Sequence, residues 1–259
     1  TQSVRVWAGD ISDCRDSGII VLTVGASQKP GESRLDLLKR NAALSRKLVP
    51  QLVRRNRDAI LIVVSNPVDV LTYVAWQASR LPEGKVIGSG TILDTARFRY
   101  LLSQHFGIEP RSIHAYIIGE HGDSQIPVWS LANIAGMKLD QYCRLNGRVM
   151  GAEVREEIAR NTRRAAYEII QRKGATYYAI AAGVARIIEA IVRGENSVLT
   201  VSSVAKDRHG LGEVALSLPS VINRAGIAST LELPLSRGET ARLQKSAAIL
   251  KEAIRSLGE

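Results

Sequence analysis

No apolar run in the 259 residues approaches the ~20 needed to cross a bilayer, which argues against a membrane-spanning chain. Only two cysteines occur, Cys14 and Cys143. That is too few for a disulfide framework or a cysteine-held metal cluster, so the expectation is a cytoplasmic, reducing setting and no metal. Aromatic residues make up 5%, leaving few platforms on which bases could stack. The formal charge of +10 is spread along helical stretches rather than gathered into blocks, which speaks against a nucleic-acid partner. Most of that excess reads as solvated helix faces, with some of it placed to attract small anions. The start carries no signal-peptide pattern. An initiating methionine is missing too, and Thr1 to Asp10 reads as the interior of a longer chain. What is present, 45% hydrophobic and 23% charged residues, describes a globular protein with core enough for one large domain or two modest ones.

Apolar runs and helical stripes alternate along the first half. Val4-Arg5-Val6-Trp7 is a short strand candidate. Ile19 to Gly25 and Ala59 to Ser65 are continuous apolar runs, the mark of parallel strands buried on both faces. Helices are expected over Arg34 to Arg55, from Pro67 to about Ser79, and over Thr91 to Phe106, the last stopped by Gly107. Val86-Ile87-Gly88 and Ile113 to Ile118 supply the further strands. This is the pattern of an α/β fold with a doubly wound parallel sheet. After Trp129 the character changes to a mixed α+β second part. Helices are expected over Glu153 to Arg172 and Thr176 to Arg193, strands over Leu199 to Ser203 and Val214 to Leu218, and a last helix from Ser236 with Glu239 completing a capping box. The division falls near Ser89, giving residues 1–88 and 89–259.

Ligands of doubly wound sheets bind beyond the carboxyl ends of the strands. The loop from Gly25 to Arg34, Asn66 and His121 all lie there. His121 sits in Gly119-Glu120-His121-Gly122-Asp123, where a tight turn can present an imidazole, the side chain that exchanges a proton near neutral pH. Taken singly it is as readily a surface-loop histidine. Asp94 and Arg97 share one helix face, which by itself fits a surface ion pair of little worth. The alternative gives each its own partner: an aspartate that fixes the imidazole tautomer, and a guanidinium fork that matches a carboxylate. Arg34, beyond a Pro-Gly loop, reads either as an ordinary helix-start arginine or as a cation that closes over substrate and polarises a carbonyl. Asn66 is a turn residue before proline or an amide offered to a ligand. Together these groups describe proton transfer beside a C–O bond of a small carboxylate, with a hydride carrier still to be supplied.

Six stretches carry a family resemblance: Gln28 to Leu35, Ser65-Asn66-Pro67-Val68-Asp69, Gly88-Ser89-Gly90-Thr91, Leu93 to Arg99, Gly119 to Asp123, and Lys173 to Tyr178. In this order they resemble the NAD-dependent L-lactate dehydrogenases of the lactate/malate dehydrogenase superfamily, bacterial allosteric type, over essentially the whole length. The resemblance implies that His121 moves the proton, with Asp94 as its partner. Arg97 would hold the substrate carboxylate and Arg34 would polarise the carbonyl, while Thr176 and Asn66 line the substrate pocket. Gly25, Ala26, Val64, Ser65, Asn66 and Ser89 match positions that contact NAD. Gln28 matches the position that separates lactate enzymes, which carry Gln, from malate enzymes, which carry Arg; it implies pyruvate/lactate as the substrate pair. Arg99 and His114 match a pair that binds fructose 1,6-bisphosphate between subunits, and a homotetramer is implied. The family's opening strand, its Gly-x-Gly-x-x-Gly turn and its acidic ribose residue have no counterpart here. The first βαβ unit is therefore expected to be absent from this sequence, and residues 1–88 to be the remainder of a dinucleotide-binding domain. Competing expectations are a malate or other 2-hydroxy-acid dehydrogenase, and an inert binding or regulatory subunit.

Overall fold

A computed structural model describes residues 3–26, 33–174, 176–206 and 208–258, without the side chains of Arg34 and Arg208. Three parallel strands open the fold: β1 (Ile19–Leu22), β2 (Ile60–Val63) and β3 (Val86–Gly88). Helices α1 (Arg34–Val53) and α2 (Val68–Ser79) make the crossovers between them. Strand β2 shows why its run is apolar without alternation. Leu61 and Val63 point into one core with α1 and α2. Ile60 and Ile62 point into another, shared with Val184, Ile187 and Ile191 of a later helix. Both faces are dry, as a parallel strand requires.

After β3 come α3 (Ile92–Phe106) and two short strands, β4 (Ile113–His114) and β5 (Ile117–Ile118). Then follow β6 (Ile126–Pro127), β7 (Asn133–Ile134), β8 (Met137–Lys138) and α4 (Leu139–Leu145). The second half holds α5 (Ala152–Lys173), α6 (Tyr178–Arg193), β9 (Ser197–Ala205), β10 (Val214–Asn223), β11 (Gly226–Thr230) and α7 (Arg237–Arg255). Strands β9 to β11 form an antiparallel meander that joins the parallel strands through a single pairing, Gly88 with Ser202. The result is one mixed sheet in the order β1-β2-β3-β9-β10-β11. The join is tight. A methyl group on Gly88 would lie 2.2 Å from Thr72 Oγ1 and 2.8 Å from Ser202 Cβ, so the crossing of α2, β3 and β9 requires glycine there.

Helix ends follow the local chemistry. Gly107, Gly174 and Gly194 close α3, α5 and α6 in the left-handed region that glycine enters without strain. Ser236 and Glu239 form the expected capping box on α7, and Leu243, Ala247, Leu250 and Ile254 are its buried stripe.

Three strand expectations are corrected. Strand β1 is buried on one face only, with Ile20 and Leu22 buried and Val21 exposed, because it stands at the end of the sheet among the described residues. Residues 4–7 form no strand; Val4, Val6 and Trp7 are exposed and pair with nothing among the described residues. Ile113 to Ile118 is not a strand of the parallel sheet. It divides at Ala115-Tyr116: β4 pairs with β7 and β5 with β6, in separate small antiparallel sheets. Its apolar composition made the run look like another central strand, but Ile113 and Ile117 pack in a core with α3, α4 and α5, and Ile118 in the core that holds β10 and α7. No helix among the described residues is long and apolar enough to cross a membrane.

Candidate active site

The turn after β5 is where the elements meet. Gly119 has φ +86°, and a side chain there would strike Ile126 Cδ1 at 2.6 Å and Ser246 Oγ at 2.9 Å. Its backbone N–H and carbonyl both bond to Ser217 of β10, at 2.9 Å each. Next, the N–H of Glu120 donates to Ser246 Oγ of α7 at 2.9 Å. The Ser124 hydroxyl donates to Glu120 Oε2 at 2.5 Å, closing the turn on itself. His121 is thus carried on a backbone fixed by β10 and α7.

The imidazole Nδ1 lies 2.6 Å from Asp94 Oδ2. Asp94 projects from the first turn of α3 and its side chain is only 5% exposed. Its other oxygen, Oδ1, is 3.6 Å from Arg97 Nη1. One carboxylate therefore serves both groups, combining the ion pair and the tautomer-fixing contact that the sequence offered as alternatives. Burial pulls the proton affinity of His121 down. The bond to Asp94 and the charges of Asp94 and Asp69 outweigh it, against an opposing push from Arg97, and the net pKa is raised above 6.5.

A cavity of about 520 Å³ opens over this imidazole. Asn66, Asp94, Glu120 and His121 supply polar wall, and Leu37, Ala166, Tyr167 and Ile170 supply apolar wall. The size suits a small ligand together with part of a larger one. Ile170, an apolar position of α5, faces this space. Asn66 turns its Oδ1 to the N–H of Val68 at 3.2 Å, leaving its amide NH₂ for a ligand. Arg97 and Thr176 do not line this cavity. Arg97 lines the groove between α3 and α6 while remaining against Asp94, and Thr176 is half-buried just ahead of α6. Gln28 and the side chain of Arg34 lie outside the described residues.

The residues matched to cofactor contacts gather on one edge, the carboxyl ends of the three parallel strands. Val64 N–H donates to Leu22 O at 2.9 Å and Ser89 N–H to Val63 O at 2.8 Å. The Ser65 hydroxyl bonds Val24 O at 2.5 Å. Ala26 N–H reaches Asn41 Oδ1 at 2.9 Å, and Asn41 reaches back to Asn66 O at 3.4 Å. Gly25 and Asn66 are exposed on this edge, Ala26 and Val64 are half-buried, and Ser65 and Ser89 are buried beneath it, at the strand ends where doubly wound sheets bind dinucleotides. Arg99 and His114 are neighbours: Arg99 Nε donates to Ala115 O at 2.9 Å with its guanidinium over the Tyr116 ring, and His114 is exposed.

Sequence reasoning gave no role to Asp69 or Ser246, although both fasten the catalytic turn. Asp69 stood inside a quoted motif; Ser246 had no local signal, because its partner is 126 residues away.

A strand-end cleft with an aspartate-braced histidine in an α/β fold fits the class of dinucleotide-dependent oxidoreductases. Residues 1–88 match the lactate/malate dehydrogenase NAD binding domain, and residues 91–259 match the α/β C-terminal domain of the same family. The chain belongs to the lactate/malate dehydrogenase family. It is 56% identical to an L-lactate dehydrogenase of Thermoanaerobacter sp. (strain X514), over 98% of this chain and 82% of that protein. It is 51% identical to an L-lactate dehydrogenase of Acetivibrio thermocellus, over 98% of this chain and 80% of that one. The fold superimposes on the ligand-bound minor L-lactate dehydrogenase of Enterococcus mundtii with a TM-score of 0.94 at 38% identity, covering 98% of this chain and 81% of that structure.

Proposed function

We propose that the chain is an NAD-dependent L-lactate dehydrogenase that interconverts pyruvate and L-lactate. The observation that carries this is the Arg97–Asp94–His121 cluster beside an open strand-end edge. NAD(H), when bound, supplies or takes up the hydride. The chain's own residues do the rest. Asp94 occupies His121 Nδ1, which leaves Nε2 to give its proton to the carbonyl oxygen of pyruvate, or to take it from the hydroxyl of lactate. Arg97 holds the substrate carboxylate in its planar fork, and Arg34 polarises the carbonyl from the first turn of α1. Asn66 lines the pocket, Thr176 contacts the substrate from just ahead of α6, and the apolar wall of α5 excludes water. Gly25, Ala26, Val64, Ser65, Asn66 and Ser89 bind the cofactor, so residues 1–88 form the cofactor side and 89–259 the catalytic side.

The raised pKa of His121 sets opposite pH limbs for the two directions. Pyruvate reduction needs the protonated ring, so kcat/KM holds past pH 6.5 and falls above the raised value. Lactate oxidation needs the neutral ring and rises through the same value. The stability linked to this group has the matching sign: fully present below pH 6.5 and lost as pH climbs through the folded-state value. Initial rates in both directions across pH check this. Limbs of the same sign would remove His121 from the proton transfer.

Substrate choice rests on Gln28, a neutral amide that suits a methyl group and leaves a second carboxylate unpaired. Paired rates should favour pyruvate over oxaloacetate, and Gln28→Arg should move the ratio toward oxaloacetate. A native preference for oxaloacetate would make the chain a malate dehydrogenase.

Arg99 and His114 form a cationic patch for fructose 1,6-bisphosphate at a subunit interface of a homotetramer. Their adjacency across Ala115 supports this. A rate gain with fructose 1,6-bisphosphate that Arg99→Gln abolishes is the expected signature; a gain that survives the substitution moves the effector site elsewhere. Two free cysteines suit a reducing cytoplasm.

A further inference from the structure

Asp69 is the second residue of α2 and only 2% exposed. A carboxylate at a helix start ordinarily turns to that helix's own free N–H groups. This one turns away: Oδ2 accepts the backbone N–H of His121 at 2.7 Å, from a residue 52 positions along the chain. Its Oδ1 is buried and faces the equally buried Ser202 hydroxyl of β9, the two standing outside ordinary hydrogen-bond geometry. Leaving such atoms unmatched costs stability, and a neutral side chain would avoid part of that cost. The charged groups acting on Asp69 both come from the turn above it, His121 and Glu120, while β9 contributes the Ser202 hydroxyl.

We infer that Asp69 is a positioning residue for His121, clamping the catalytic turn by its backbone N–H and placing a second negative charge, after that of Asp94, beside the imidazole. The role assumes the proton transfer proposed for His121. Burial raises the pKa of Asp69 to about 6, against the Ser202 hydroxyl, the His121 N–H and the His121 charge, which lower it. At neutral pH the group is therefore a carboxylate, and its charge is among those that raise the pKa of His121. A group raised in this way makes the fold less stable as pH climbs from its ordinary range near 4 through 6. The clamp is thus held at the expense of stability.

The test is Asp69→Asn in the intact protein. The amide oxygen can still accept the His121 N–H, so the clamp is kept and only the charge is lost. With four histidines in the chain, the His121 imidazole can be followed by NMR in histidine-labelled protein. Its titration midpoint should fall. The alkaline limb of kcat/KM for pyruvate should move down with it, a roughly 3- to 10-fold loss at alkaline pH, while Tm at neutral pH rises. Ser202→Ala keeps the clamp and removes the hydroxyl that favours the carboxylate; it should move the midpoint the same way by less, and it decides the matter where Asp69→Asn does not fold. An unmoved His121 midpoint in folded variants overturns the inference. The imidazole titration needs neither substrate nor cofactor. A protein that fails to reduce pyruvate but shows the shift would sink the proposed function and leave this role standing.

Discussion

Replacing His121 with alanine is expected to lower kcat for pyruvate reduction by about 10²–10⁴-fold, the usual yield of a positioned acid–base group. The loss should fall on kcat rather than on substrate binding, because the imidazole acts on the carbonyl oxygen while the carboxylate is held elsewhere. The fold should survive. The turn is held by Ser217 and Ser246 through its backbone, and Asp69 also grips it through the His121 backbone N–H, so none of these contacts needs the ring. Asp94 does lose a partner and keeps Arg97 at 3.6 Å, so a cost of about 1–3 kcal/mol is expected from a buried carboxylate left half-satisfied. Steady-state kinetics together with a thermal melt check both statements. Native turnover in a folded His121→Ala protein would show that another group moves the proton.

Arg97→Lys is expected to raise KM for pyruvate by about 30-fold or more, the equivalent of ~2 kcal/mol, although the charge is conserved. A guanidinium presents two parallel N–H groups to a carboxylate, whereas an ammonium presents a point charge on a flexible stem. Geometry adds a second effect. Arg97 also lies against Asp94 Oδ1 and opposes the proton affinity of His121. A lysine that withdraws toward the groove between α3 and α6 would relieve that opposition and let the alkaline limb of pyruvate reduction move up. KM values for pyruvate and for a 2-oxo acid with a larger side chain should rise together, since both share the carboxylate. Normal pyruvate binding by Arg97→Lys would show that another group holds it.

Much of the fold was legible because its signals are local. The runs ending at Gly25 and Ser65 both form parallel strands, and β2 lies between two cores, whereas β1 is buried on one face only. Gly107, Gly174, Gly194 and the Ser236–Glu239 box mark helix ends through contacts within a few residues. Failures came where partners are distant. Ile113 to Ile118 has the composition of a central strand, yet its backbone pairs with β7 and β6.

The candidate site divides along the same line. His121, Asp94, Arg97 and Asn66 were singled out by residue chemistry and by their place past strand ends or on one helix face, since side-chain type limits what each can do. Their union in one cluster, the sharing of Asp94 by His121 and Arg97, and the grip of Asp69 and Ser246 on the turn were decided by tertiary structure alone. Residue type and short-range spacing determine which protons, charges and turns are available. Which of them touch depends on long-range packing of β5, β10, α2, α3 and α7, whose contacts span tens to more than a hundred residues and leave no periodic trace in the chain.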